Sequence, residues 1–96
     1  MTEEFLEIKR NQISECDREI MALLRKRLDL ATEIGEYKAQ HGMEVRNLAV
    51  EAKVIERYRT YAEELGMDPD RTEIICRIIM QESVAKENVV KREIHE

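Results

Sequence analysis

Apolar residues recur every three or four positions along the first third of the chain, at Leu6, Ile13, Ile20, Leu24, Ala31 and Ile34, and charged residues fill the remaining steps of the same ladder at Arg10, Asp17, Arg27 and Lys38. This is the spacing of one face of an α-helix. From Glu3 to His41 the one breaker is Gly35, and Gly42 then offers a stop, so the pattern predicts a first helix over about 3–41 with Thr2 as its N-cap. Asn47 and Gly66 bracket a second helical pattern over about 48–65. Asp68 as a cap and Pro69 at the first helical position open a third, over about 69–92. With no alternating run that would mark a strand, the expectation is an all-α fold of three helices, long, short and medium, in a single domain over residues 1–96.

A helix of this first length measures roughly 58 Å end to end, whereas a compact chain of 96 residues has a diameter of roughly 32 Å. One end must project. A projecting rod that keeps an apolar stripe calls for another copy to cover it, most simply an intertwined homodimer with twofold symmetry.

Composition supports helix and excludes several classes of function. Three Gly, one Pro and four aromatic residues favour helix over sheet, and a chain this short buries only a modest core of its own. A net charge of −5 with basic residues scattered among acidic ones gives no footprint for nucleic acid or an anionic membrane surface. No apolar run approaches the roughly 18 residues of a membrane span. The acidic start MTEEFLEIKR is unlike a secretory signal, so the expected compartment is the cytoplasm with reduced thiols. Cys16 and Cys76 have no metal-binding spacing and read as inert core thiols, while His41 and His95 lack companion ligands, so no metal is expected. Tyr37, Tyr58 and Tyr61 read as packing residues, and the terminal REIHE as a solvated, frayed tail.

The cations on the apolar face are the informative feature. At ~100° per residue, Arg27, Ala31, Ile34 and Lys38 share a ~60° arc. Leaving such charges buried and unpaired costs several kcal/mol each. Their stems can snorkel to solvent, or glutamates of neighbouring helices can pair with them. The third helix also interrupts its apolar face, read as Ile75, Ile79, Ser83, Val90 and Ile94, with Glu87 one turn beyond Ser83; the second helix brings Glu51 to its first turn. Polar groups on all three inward faces point to a closed, polar pocket for a small anion. Arg10 stands 17 residues before Arg27 in the sequence, hence about 26 Å away along one rod. It can approach such a site only from an antiparallel second copy, which gives two shared sites.

The segments QISECDREIMALLRKRLDLATEIGEYK, VRNLAVE and IMQESVAKE, preceded by Arg10, resemble the all-helical chorismate mutase family across nearly the whole chain. The resemblance implies an isomerase that converts chorismate to prephenate by a pericyclic [3,3] rearrangement, with no cofactor and no covalent intermediate. Matched by position, Arg27 and a second copy's Arg10 would grip the two carboxylates, and Lys38 would donate to the ether oxygen. Glu51 would accept from the ring hydroxyl, Ser83 would help seat a carboxylate, and Arg46 would stand at the pocket mouth. Ala31 and Ile34 would floor the pocket.

Three positions depart from the common pattern of the family. Val50 stands where many members have a basic residue, and Asn47, itself an expected substrate-binding residue, stands where an acidic one is frequent, which puts affinity rather than reaction type in question. Glu87 stands where the family often has Gln, a donor to the ether oxygen; a carboxylate cannot donate but a carboxylic acid can, so the resemblance implies that Glu87 acts protonated. The simpler reading is that it pairs with Lys38 or Lys91. Two other functions fit the same residues: pyruvate elimination from isochorismate in the same pocket, against which the loop HGMEVRN argues by resemblance, and a helical dimerisation module without a ligand.

Overall fold

The computed structural model describes residues 2–95. Among them are three α-helices and no strand: α1 (Thr2–Gln40), α2 (Leu48–Glu64) and α3 (Pro69–His95). The breakers act where the sequence puts them. Gly42 takes a φ of 64° and lets the Met43 amide reach back to the Lys38 carbonyl at 2.8 Å; Gly66, at 69°, does the same for Met67 and Ala62. Only a residue without Cβ enters this left-handed region freely, and the return bonds satisfy the last carbonyls of each helix. Asn47 Oδ1 accepts the Val50 amide, and Asp68 Oδ1 accepts the amides of Asp70 and Arg71 beside Pro69, so α2 and α3 are capped by side chains.

The third helix continues to His95, beyond the expected end near Arg92. His95 Nε2 lies 3.2 Å from the Ala39 carbonyl, which ties this segment to α1 in place of the expected frayed tail; Glu96 lies outside the described residues.

Layering is set by α3, which packs on α1 along one side and on α2 along the other, while α1 and α2 do not pack on each other among the described residues. A gap therefore remains between α1 and α2, floored by α3. The buried face of α3 is Cys76, Met80, Glu87 and Val90, whereas Ile75 and Ile94 are 52% and 42% exposed. The sequence reading stepped by four residues from Ile75 to Glu87, and each such step drifts ~40° from a 3.6-residue repeat, so the two ends of that line point about 120° apart.

The C-terminal part of α1 meets α3 through small residues: Ala31, Gly35 and Ala39 are its buried positions. A Cβ on Gly35 would stand 3.1 Å from Glu87 Cα, so this glycine sets how closely the two helices approach. The N-terminal part of α1 has no cover. Phe5, Ile8, Ile13, Ile20, Met21 and Leu23 are all exposed, and so is Cys16, which is not the core thiol expected. The molecule measures 60 × 27 × 14 Å with a radius of gyration of 17.4 Å, against about 12 Å for a compact chain of this length.

Candidate active site

The gap between α1 and α2 is a cavity of about 550 Å³. From α1 come Arg27, Leu30, Ala31, Ile34 and Lys38; from the connecting loop, Met43, Val45 and Asn47. The second helix adds Val50, Glu51 and Val54, and the third adds Met80, Ser83, Val84 and Glu87. Most of this wall is apolar. A few charged groups set in it will interact more strongly than they would in water.

Lys38 is turned inward, with its side chain 18% exposed. Its ammonium donates to the Val45 carbonyl at 2.6 Å and lies 2.9 Å from Glu87 Oε1. The second contact is an ion pair, but its direction is not that of a hydrogen bond, and the buried Oε1 has no hydrogen-bond partner. A buried carboxylate oxygen without a donor is costly, and a ligand donor or a small shift of Lys38 would relieve it. An ammonium has three protons, so Lys38 keeps donor capacity for the cavity.

Arg27 is half-buried, and its Nη1 donates to Ser83 Oγ, which itself lies 3.4 Å from the Ile79 carbonyl one turn back. No carboxylate pairs with Arg27 among the described residues. The other charges near the cavity cancel in pairs, Lys38 with Glu87 and Arg46 with Glu51. Arg27 is therefore the unmatched positive charge of the wall, and it points to an anion as ligand.

Glu51 Oε1 and Oε2 accept Arg46 Nη2 at 2.8 Å and Nε at 3.1 Å, a two-pronged guanidinium grip. This bond, ahead of the pull of Arg77 and Lys38, holds the Glu51 carboxyl below the usual carboxylate range, although desolvation opposes it. Arg46 does not line the 550 Å³ cavity; it lies on the far side of Glu51. Asn47 lines the cavity, but its side-chain oxygen is occupied in capping α2. Arg10 sits on the uncovered half of α1.

The structure thus brings Arg27, Lys38, Asn47, Glu51, Ser83 and Glu87 around one space, with Ala31 and Ile34 between the two cations, and leaves Arg46 and Arg10 outside it. Sequence reasoning missed Val45, whose carbonyl holds Lys38 and whose side chain is buried; a lone apolar residue in the polar loop HGMEVRN was the available signal. It also missed Gly35, visible only as a glycine that α1 tolerates. Cys76, with Arg27 nearby, is buried and its thiol is pushed up by that burial, in keeping with an inert core residue. Tyr37 stacks on the His41 ring at 4.0 Å, and Tyr58 packs near Tyr61 at 6.4 Å.

The chain is an all-helical domain with two cations, Arg27 and Lys38, on the wall of a largely apolar pocket, and residues 9–88 match the family model of chorismate mutase type II. The chain belongs to the chorismate mutase type II family. It is 39% identical over 79 residues to a T-protein of Enterobacter agglomerans, covering 82% of this chain and 21% of that protein. It is 36% identical over 85 residues to a T-protein of Haemophilus influenzae, covering 88% of this chain and 22% of that protein. The chain therefore spans about a fifth of the length of these curated relatives.

Proposed function

We propose that this domain converts chorismate to prephenate by [3,3] rearrangement, within aromatic amino-acid biosynthesis, in two sites shared across a homodimer. The observation that carries the reading is the pocket wall itself, in which Arg27 has no counter-charge among the described residues and Lys38 keeps free protons toward a largely apolar space. Chorismate has two carboxylates, an ether bond that breaks and a ring hydroxyl, and each finds a group of suitable chemistry.

Arg27, with Ser83 beside it, takes one carboxylate. The second needs another cation, and Arg10 of a second copy supplies it when the uncovered half of α1 packs across a twofold axis. Exposed Leu6, Ile13 and Ile20 on that half give such packing its apolar area. Lys38 donates to the ether oxygen, where negative charge grows as the C–O bond breaks, so its effect is larger in the transition state than in the ground state. Glu51 accepts from the ring hydroxyl. Glu87, 2.9 Å from the Lys38 ammonium, keeps Lys38 in place beside the ether oxygen. The chemical step forms no bond to the protein, so the pocket acts by holding the reactive chair and presenting fixed donors. The two unpaired thiols, Cys16 and Cys76, accord with a reducing compartment and with a cytoplasmic location.

Incubation of the purified protein with chorismate tests the reading. Loss of the substrate's ultraviolet absorbance with prephenate as product is expected, together with a Lys38→Ala variant that keeps its helical circular dichroism and loses the rate. No turnover of chorismate contradicts the proposal, and release of pyruvate from isochorismate in its place assigns the pocket to elimination.

A further inference from the structure

We infer that Arg46 is a positioning residue, which acts on the reaction through Glu51 and does not touch the substrate. The inference rests on the mutase reading and revises the expectation that Arg46 binds at the pocket mouth.

Two cavities meet at Glu51. One is the 550 Å³ pocket that holds Arg27 and Lys38; the other, about 370 Å³, lies on the outer side and is lined by Arg46, Arg77, Gln81 and Asn88. Glu51, Met80 and Val84 belong to both walls, whereas Arg46 belongs to the outer one alone. The Arg46 guanidinium closes on the carboxylate with both prongs, Nη2 to Oε1 at 2.8 Å and Nε to Oε2 at 3.1 Å. Two such bonds use two of about four lone-pair positions on the carboxylate and leave the rest for the pocket. They also remove the freedom of the terminal torsion, so the accepting oxygens face one direction.

This grip matters more here because residue 50 is Val. Within the first turn of α2, no basic side chain stands next to Glu51. The other charges that face it are Arg77 from α3 and Lys38 from α1, and both act without a hydrogen bond to it. Arg77 is engaged by Glu73 at 2.8 Å, and Lys38 by Glu87 at 2.9 Å. Arg46 is therefore the principal group that aims the Glu51 carboxylate and lowers its proton affinity, and an aimed carboxylate is what accepts the ring hydroxyl.

The sign of the pH effect follows. Arg46 is the largest cause lowering the Glu51 proton affinity. Without it the carboxyl holds its proton to higher pH, and a protonated Glu51 no longer accepts in both positions. The acid limb of kcat/KM, which reports the free enzyme, then moves to higher pH.

The test compares Arg46→Ala, Arg46→Lys, Glu51→Gln and the Arg46→Ala/Glu51→Gln double variant, with chorismate as substrate. Arg46 is largely exposed in a loop, so its variants are expected to retain the parent circular dichroism. Arg46→Ala is expected to lower kcat/KM roughly tenfold at neutral pH, equivalent to the loss of about one charge-assisted interaction, and to displace the acid limb upward. Arg46→Lys keeps the charge without the fork and falls between. The double variant is expected to match Glu51→Gln alone, because nothing remains for Arg46 to position. An acid limb that stays in place in Arg46→Ala overturns the inference, as does a double variant whose loss is the product of the two single losses. A parent protein that does not consume chorismate overturns both this inference and the mutase reading.

Discussion

The two halves of α1 carry the same periodicity and meet opposite fates. From Leu24 onward the helix buries Ala31, Gly35 and Ala39 against α3 and presents Arg27 and Lys38 to the cavity. Before Leu24 every described residue is exposed, including Phe5, Ile8, Ile13 and Ile20. Small residues let α1 and α3 approach closely, whereas the large aliphatic residues at the same spacing in the first half meet no other described element. The difference teaches that one half of the rod is finished by its own chain and lines the cavity, while the other half carries the uncovered apolar surface and Arg10. On the proposed function, that surface seats a second copy and Arg10 is the cation it brings to the pocket.

Changes to the two halves separate these roles. The largest effect is expected at the cavity end, where Lys38→Ala removes the proposed donor to the ether oxygen and is expected to lower kcat by about 10²–10³-fold, measured by chorismate consumption, with helical content unchanged. At the projecting end, Ile13→Glu places an unpaired charge on the face proposed to seat a second copy, a cost of several kcal/mol in the dimer. Sedimentation should then show a shift from dimer toward protomer, with activity falling as the dimer is lost. A dimeric, active Ile13→Glu protein would mean that this half of α1 serves some other end.

Gly35→Ala gives a smaller effect with an instructive sign. On helix propensity alone the change stabilises by about 1 kcal/mol, but the new Cβ meets Glu87 Cα at 3.1 Å and Cγ at 3.2 Å. Overpacking of this kind costs about 1–3 kcal/mol, so thermal unfolding should show a net loss, accompanied by a lower kcat as Glu87 is displaced from Lys38. The smallest effect is expected on the face that neither packing uses. Arg25 and Asp29 form an exposed pair at 3.0 Å, and Arg25→Ala should shift stability by less than about 0.5 kcal/mol in denaturant unfolding.

How far the sequence revealed this depends on what each feature needed. Helix ends were legible because Gly42, Gly66, Pro69, Asn47 and Asp68 act locally, through their own torsions and side chains. The arc shared by Arg27, Ala31, Ile34 and Lys38 was legible for the same reason: one helix fixes it. Relations between helices were not. The buried face of α3 turned on whether the repeat was four residues or 3.6, which cumulates to a large angle over Ile75 to Glu87. Whether Arg46 faces the pocket or the back of Glu51 depends on where α3 sets the loop, and Cys16 is exposed because no described element packs on the first half of α1. The resemblance named the residues of the site, but the arrangement of Arg46 behind Glu51 emerges from the contacts alone.

The direct measurement is complementation between two inactive variants. Arg10→Ala and Lys38→Ala proteins are purified separately, partly unfolded together, refolded and assayed with chorismate. With sites drawn from two chains, each mixed dimer carries one doubly altered site and one intact site, so statistical exchange restores about a quarter of the parent activity. Recovery near that level is the result expected here. A mixture no more active than the average of its two components would contradict a site completed by a second copy.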